Sequence, residues 1–134
     1  MATVNPGEEV IIPTPAYSSH IRQVEIAGGK PGMVPTKEEE GFTLDLEKIE
    51  ASITSKTKAI LLSNPNNPTG AVYSKEQLKE LAEIVKRNDL IVIVDEAYEY
   101  FTFDGYEHFS IASLEGMHDR VISVFTFTKT YAMT

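Results

Sequence analysis

The sequence predicts an α/β fold built around a mainly parallel sheet. Three aliphatic runs support it: "KAILLSN" (58–64), "LIVIVDEAY" (90–98) and "RVISVFTF" (120–127). Their apolar residues are consecutive rather than alternating, which is typical of parallel strands that are buried on both faces. We therefore expect three neighbouring strands with both faces covered.

A helical segment between the first two runs completes this prediction. In "SKEQLKELAEIVKRND" (74–89), Ser74 is followed three residues later by Gln77, which is the pattern of a capping box at a helix start. Strand, helix and strand in this order predict a βαβ unit. The apolar face of the helix is formed by Leu78, Leu81, Ala82 and Val85.

The N-terminal part of the chain predicts a weaker strand and an extended segment. The run "EVIIPTP" (9–15) contains two prolines, which favour the end of a strand or an edge strand. Residues 28–43 predict a short strand or extended piece followed by an acidic surface loop.

Two shorter helices are also predicted. One covers about 17–27 and is closed by Gly28 and Gly29. The other covers about 45–54, with Asp45 as its N-cap. Its inward-facing residues are Leu46, Ile49 and Ile53.

Composition narrows the class of protein. The 134 residues, 42% of them hydrophobic, suffice for one domain with a real core. Lys and Arg number 12 against 20 Asp and Glu, a net charge of −8, which argues against nucleic acid as a partner. The absence of cysteine excludes disulfides, thiolate zinc sites and cysteine nucleophiles.

No segment of the sequence predicts a membrane span or a signal peptide. The longest apolar run, residues 90–94, is too short to cross a bilayer, and the N-terminus lacks a basic, apolar signal pattern. We expect a soluble, cytoplasmic protein.

Unusual polar residues follow each of the three main strands. Because ligands of open α/β sheets bind beyond the carboxyl ends of the strands, these residues are the candidate site. A carboxylate, an amide, a phenol, two hydroxyls and an amine should converge there. They are Asp95, Asn67, Tyr98, Thr126, Thr128 and Lys129.

Each of these residues also has a simpler structural explanation. Asp95 could cap a following helix, and "NPNNPTG" (64–70) could be a plain turn. A fixed asparagine amide, held before proline in a cis bond, is the functional alternative for that segment. Lys129 could be an ordinary surface charge. Its aromatic neighbours Phe125, Phe127 and Tyr131 instead favour partial burial, which lowers the pKa of an amine and makes it nucleophilic.

Other classes of site lack support in the sequence. His20, His108 and His118 are scattered without the spacing of metal ligands, so no metal site is predicted. The sequence contains no nucleophile elbow, P-loop or GxGxxG fingerprint, which argues against a serine hydrolase and a nucleotide-binding protein.

Four segments, in order and spacing, resemble the large domain of the class I and II pyridoxal 5′-phosphate (PLP) aminotransferases, the aspartate aminotransferase family. They are "NPGEEVIIPTPAY" (5–17), "NPNNPTG", "LIVIVDEAYEYF" and "FTKTYAMT". The resemblance implies transfer of an amino group from an amino acid to a 2-oxo acid. The local residues do not separate this reaction from related PLP-dependent eliminations.

The resemblance assigns the catalytic roles to three residues. Lys129 resembles the lysine that forms the Schiff base with PLP and then moves the proton. Asp95 resembles the carboxylate that pairs with the pyridine nitrogen and keeps it protonated. Tyr98, together with Asn67, resembles the groups that hydrogen-bond the phenolic oxygen of the cofactor.

The remaining cofactor contacts are carried over in the same way. Tyr17 stands where the family places an aromatic ring against the pyridine face. Thr126 and Thr128 stand where family members usually have serine, and Thr126 would contact the phosphate. The hydroxyl is retained at both positions.

The resemblance covers well under half of a typical family chain. Residues 1–134 are therefore expected to form one partial domain, the central part of the large domain, without the small domain. We expect such a fragment to bind PLP weakly, to be weak or inactive alone, and to form homo-oligomers through an exposed strand edge. The alternative is a catalytically silent α/β module that binds a partner or assembles through this edge.

Overall fold

The computed structural model describes residues 3–133 and confirms the predicted α/β class. Residues 1, 2 and 134, which belong to the predicted single domain, lie outside the described residues. Within the described residues, five strands form one sheet in the order β2-β1-β3-β4-β5, and every neighbouring pair is parallel. The strands are β1 (Glu9–Thr14), β2 (Lys30–Pro35), β3 (Thr57–Ser63), β4 (Ile91–Asp95) and β5 (Val121–Val124).

Within residues 3–133 the chain also forms four α-helices and three 3₁₀ turns, and the last helix follows β5. The helices are α1 (Ser18–Ile26), α2 (Leu46–Ala51), α3 (Lys75–Arg87) and α4 (Phe127–Thr130). The 3₁₀ turns cover Glu38–Glu40, Ile111–Ser113 and His118–Arg120. Within residues 3–133, no helix is both long enough and apolar enough to cross a membrane.

The predicted starts of α2 and α3 and the predicted end of α1 are confirmed, whereas α2 ends at Ala51 rather than at about residue 54. The Ser74 side chain accepts the backbone N–H of Gln77, and the Gln77 side chain accepts the backbone N–H of Ser74, which completes the capping box of α3. Asp45 caps α2 by accepting the backbone N–H of Lys48. Beyond α1, Gly28 takes a φ of +80°, a left-handed conformation that suits glycine and ends the helix.

The position of β1 corrects one prediction. Prolines favoured a strand end or an edge, but β1 lies inside the sheet, between β2 and β3. The other alternative, a position near a strand end, is confirmed, because Pro13 is the second-to-last residue of β1. Pairing with β3 covers only Glu9 to Ile11, so Pro13 lies beyond the residues that pair on that side. An interior strand tolerates proline there because no ladder hydrogen bond to β3 is lost.

The sheet separates two apolar clusters. The larger cluster lies beneath α2 and α3 and contains Ile11, Ile49, Ile60, Leu62, Leu78, Leu81, Val85, Val92, Val94, Ile111 and Met117, among others. The smaller cluster lies beneath α1 and contains Val4, Val10, Ile12, Val24, Ala59 and Leu61. Burial of these side chains is the main force that holds the helices against the sheet.

The prediction that both faces of the strands are buried is confirmed for β3 but is wrong for β4 and β5. Residues Ala59 to Ser63 are all buried, whereas burial alternates along β4. On β5, the side chains of Ile122 and Val124 are 42% and 48% exposed. The cause is the placement of the helices, because within residues 3–133 the smaller cluster under α1 is built on β1 and β3 and leaves β4 and β5 only partly covered.

Candidate functional site

The segments that carry the predicted polar residues leave the sheet at one edge. Strands β3, β4 and β5 run parallel, and their last paired residues are in register: Ser63 with Asp95, and Asp95 with Val124. The backbone N–H of Asn64 also binds the carbonyl of Asp95 at 3.0 Å. The segments that carry Asn67, Tyr98 and Lys129 therefore leave the sheet side by side.

Asp95 is fixed by two hydrogen bonds at the end of β4. Its Oδ2 lies 3.1 Å from Nε2 of His20, and its Oδ1 accepts the backbone N–H of Ala97 at 3.0 Å. The His20 hydrogen bond lowers the pKa of Asp95; burial opposes this effect, and the Ala97 N–H adds to it, so that the pKa lies below its ordinary value of 3.8. The carboxylate is therefore ionised at neutral pH.

The alternative that Asp95 only caps a helix receives limited support. The bond to Ala97 resembles a local cap, but residues 97–100 form turns rather than a helix. The hydrogen bond to His20 serves no helix end, and it orients the carboxylate from a distant element.

His20 is the functional candidate that the sequence reasoning missed. Its side chain is buried on α1, and its ring makes an edge contact with Tyr17, with the ring centroids 5.5 Å apart. Tyr17 precedes the first residue of α1 and is 45% exposed. Since 75 residues separate His20 from Asp95, spacing gave no signal. The available signal was the position of His20 one turn before Val24, on the buried face of α1.

The segment "NPNNPTG" is both a turn and a set of fixed amides. Asn66 holds the turn by accepting the N–H and the hydroxyl of Thr69. Asn64 accepts the N–H of Tyr73 at 3.0 Å and donates to the carbonyl of Phe109 at 3.2 Å. The Asn64–Pro65 and Asn67–Pro68 bonds are both cis. The amide that the sequence assigned to a ligand, Asn67, is anchored through its backbone N–H, which binds Ser63 Oγ at 3.1 Å.

Asn67 and Tyr98 line a common cleft of about 330 Å³. The Tyr98 ring also makes an edge contact with Phe101, with 6.0 Å between the centroids. The cleft is walled mainly by apolar and aromatic groups: Pro65, Pro68, Gly70, Phe101 and Phe103, together with Asn66. A phenol and an amide within apolar walls are suited to orient a polar, ring-shaped ligand.

Lys129 approaches the ring of Tyr98. Its Nζ lies 5.7 Å from the centroid of the Tyr98 ring, within the range of a cation–π contact. The expectation of partial burial is wrong for this structure, because the Lys129 side chain is exposed. Its aromatic neighbours do not cover it: Phe125, Phe127 and Tyr131 are themselves 55%, 71% and 60% exposed.

Thr126 and Thr128 lie together but apart from the Asn67 cleft. Thr126 is the N-cap of α4, and its Oγ1 accepts the backbone N–H of Thr128 at 3.2 Å. Thr126 lines a separate, smaller cleft with Phe125, Phe127 and Tyr131. The structure thus places Asn67, Tyr98 and Lys129 in one group and Asp95 and Tyr17 in another, around His20. Among residues 3–133, no three His, Asp or Glu side chains are grouped in a way that could hold a metal ion.

Comparison with known proteins identifies the relatives of this chain. The sequence profile of the family described as "Aminotransferase class I and II" matches residues 1–134. The chain is 50% identical over 133 residues to an aspartate aminotransferase of Pyrococcus abyssi, covering 99% of this chain and 34% of that protein. It is 49% identical over 128 residues to aromatic-amino-acid aminotransferase 2 of Thermococcus litoralis, covering 96% and 33%.

Solved structures give the same result. An aromatic aminotransferase from Pyrococcus horikoshii superposes with a TM-score of 0.96 at 51% identity, covering 99% of this chain and 36% of that one. An aspartate aminotransferase from Thermus thermophilus superposes with a TM-score of 0.93 at 40% identity, covering 98% and 34%. The chain thus spans about a third of the length of these relatives. Because the family profile matches its whole length, the chain belongs to the class I and II aminotransferase family.

Proposed function

We propose that this chain carries the PLP-binding residues of an aminotransferase that moves an amino group from an amino acid to a 2-oxo acid. Family membership supports the reaction class, and the named relatives act as aspartate or aromatic aminotransferases. The observation that carries the proposal is the approach of the Lys129 amine to Tyr98, which shares a cleft with Asn67.

The chemistry of Asp95 fits the pyridine nitrogen of PLP. An anionic carboxylate beside that nitrogen favours its protonated form. His20 and the N–H of Ala97 keep the carboxylate ionised and fixed, so it does not need to reorganise when the ring binds. In this role, Asp95 holds a proton at the ring nitrogen.

The chemistry of the cleft fits the other side of the ring. Tyr98 and Asn67 supply an O–H and an N–H donor, which together suit the anionic phenolic oxygen of the cofactor. The exposed face of Tyr17 supplies an aromatic surface for stacking on the ring. The hydroxyls of Thr126 and Thr128 would contact the phosphate.

Lys129 supplies the reactive amine of the site. PLP, when bound, acts as an electron sink that stabilises the electron pair left at the substrate Cα. The Lys129 amine would hold the cofactor covalently, and once released it would carry the proton from the substrate Cα to C4′ of the cofactor. Its exposed side chain leaves the amine accessible for both tasks.

Labelling with PLP tests this proposal directly. The purified chain is mixed with PLP, its visible spectrum is recorded, and the adduct is reduced with borohydride and mapped by mass spectrometry. We expect the label at Lys129 and its loss in Lys129→Ala. Lys30→Ala is the matched control, because Lys30 is an exposed lysine at the start of β2, remote from this edge in the sheet order.

A label spread evenly over exposed lysines would refute the assignment of Lys129. It would favour the alternative, a catalytically silent α/β module that acts through binding or assembly. A cytoplasmic location and a homo-oligomeric state are further parts of the proposal. Size-exclusion chromatography at high concentration tests the oligomeric state, and a clean monomer would contradict it.

A further inference from the structure

Glu96 is a buried carboxylate that the proposed chemistry does not use. Its side chain is fully buried, although it directly follows Asp95 and lies two residues before Tyr98. Its backbone N–H binds the carbonyl of Val124 on β5 at 2.9 Å. A carboxylate is costly to bury unless other groups bind it, so its contacts point to a specific role.

The partner of this carboxylate is His108, on the loop that leads away from the cleft. His108 Nε2 donates to Glu96 Oε1 at 3.1 Å, and the His108 side chain is itself only 14% exposed. Burial raises the pKa of Glu96, but the hydrogen bond from His108 and the nearby hydroxyls of Ser123 and Ser110 outweigh it, so the pKa lies below its ordinary value. The other carboxylate oxygen, Oε2, and Ser123 Oγ are buried without a well-aligned partner within residues 3–133.

Phe109, the next residue along the loop, is anchored to the end of β3. The carbonyl of Phe109 accepts the side-chain N–H of Asn64, which directly follows β3. The Phe109 ring also lies 4.9 Å from the Lys75 amine at the start of α3. Residues 108 and 109 are thus bound to the ends of β4 and β3, while the intervening residues 97–107 carry Tyr98 and the two cleft phenylalanines.

We propose that Glu96 and His108 are positioning residues that fix segment 97–107 across the end of the sheet and so hold Tyr98, Phe101 and Phe103 against Asn67. The segment has few other anchors, since its backbone bonds are short-range turns such as Glu99 to Glu96 and Tyr106 to Phe103. Phe103 is 71% exposed and contributes little burial of its own. The Glu96–His108 hydrogen bond therefore joins the residues that flank the two ends of the segment.

Glu96 also connects this segment to β5. Glu96 binds Val124 through its backbone, and Val124 lies two residues before Thr126, where the segment leading to Lys129 begins. The inference makes two claims. The effect on Lys129 rests on the proposed function, whereas the fixing of segment 97–107 rests on the hydrogen bonds alone.

Amide hydrogen exchange of the full chain, without cofactor, tests the loop. The variants are His108→Ala, which removes the donor, and His108→Gln, which keeps an N–H at similar reach. His118→Ala is the matched control, because His118 is exposed and has no side-chain hydrogen bond within the described residues. A hydrogen bond to a charged group is strong enough that its loss should speed exchange about tenfold or more in residues 97–107.

We expect this acceleration in His108→Ala, near-normal exchange in His108→Gln, and no change in His118→Ala. Peptides from β3 should exchange at the normal rate in all three variants. Unchanged exchange in residues 97–107, or equal acceleration of β3, would overturn the inference, because the pair would then be dispensable or would serve global stability alone. Glu96→Gln provides a second route if His108→Ala fails to fold, with a smaller acceleration expected in the same residues.

PLP labelling separates this inference from the proposed function. If PLP labels Lys129 in the unaltered chain, His108→Ala should reduce that label relative to label on surface lysines, although His108 does not line the cleft. An unchanged share of label would contradict the link from the loop to Lys129. If the unaltered chain shows no preference for Lys129, the proposed function fails, while the exchange result still decides the role of Glu96 and His108 in the loop.

Discussion

The imidazole of His20 binds the carboxylate of Asp95, with 3.1 Å between Nε2 and Oδ2, and so joins α1 to the end of β4. The helix α1 follows β1, and Asp95 ends β4, which is separated from β1 by β3 in the sheet. The part of the site around Asp95 is therefore assembled by the packing of α1 on the sheet.

Replacing His20 should change the titration of Asp95. In His20→Phe we expect the pKa of Asp95 to rise, because the hydrogen bond from His20 is the main cause of its lowering. Carboxyl ¹³C NMR titration measures this directly. His118→Phe, at an exposed position, should leave the Asp95 titration unaltered; identical titrations in both variants would contradict the assignment.

The acid stability of the chain should depend on Glu96. Its folded pKa lies below the ordinary 4.5, so its contribution to the free energy of unfolding is present above about pH 4.5 and is lost as the pH falls through the folded pKa. We expect the loss of stability below pH 4.5 to be shallower in Glu96→Gln. Urea denaturation from pH 3 to 7 measures it, with the exposed Glu107→Gln as control. Equal slopes in Glu96→Gln and the unaltered chain would refute this expectation.

Ionisation of Tyr73 should account for part of the loss of stability at alkaline pH. Burial raises the pKa of its phenol from 10.0 to about 12, although the hydrogen bond from Asn66 opposes this effect. Above pH 10 the unfolded chain loses this proton more readily than the folded one, so the free energy of unfolding should fall between pH 10 and 12, by up to about 3 kcal/mol.

In Tyr73→Phe this part of the alkaline loss should disappear, whatever the stability of the variant at neutral pH. Urea denaturation between pH 8 and 12 is the measurement, and Tyr106→Phe, at a position 63% exposed, is the control. A Tyr73→Phe variant with the full alkaline loss would show that the Tyr73 phenol is not its source.

Loss of the α3 cap should cost about 1 kcal/mol of stability. Ser74→Ala removes the acceptor of the Gln77 N–H and breaks the capping box. Chemical denaturation should show this decrease, and Ser55→Ala, at an exposed turn position, should lie within about 0.5 kcal/mol of the unaltered chain. A similar stability for both variants would mean that water replaces the cap without loss.

Self-association should use the edge strand β5. Within residues 3–133 this strand lies at one edge of the sheet, and its residues Ile122 and Val124 are partly exposed, which favours pairing with a second copy of the chain. Val124→Lys should therefore weaken any oligomer seen by size-exclusion chromatography with light scattering. Ile26→Lys, at an exposed position on α1, should not. Equal effects of the two variants would place the contact elsewhere.

Local signals in the sequence were sufficient to predict most of the elements. The start of α3 was readable because Ser74 and Gln77 are three residues apart, and the end of α1 because glycine suits a left-handed residue. The burial of β4 and β5 was not readable in the same way. It depends on which helices cover each face, and a continuous apolar run does not report this.

Part of the candidate site could also be predicted from the sequence. Parallel strands end at the same edge, so the segments that carry Asn67, Asp95 and Tyr98 could be placed side by side from the sequence alone. His20 could not, because its link to Asp95 depends on how α1 packs. The roles of these residues in PLP chemistry came from the family resemblance.

The short pairing between β1 and β3 has a consequence for how the chain opens. Only Glu9, Val10 and Ile11 pair with β3, and the register shifts between the first two, whereas β3 and β4 pair over five positions. The seam between β1 and β3 is therefore the expected line of sub-global opening, at which β1, α1 and β2 detach while β3, α3 and β4 remain paired. Each such opening carries His20 away from Asp95 and leaves the carboxylate to solvent. The lifetime of the closed seam would then set how long an intact site persists.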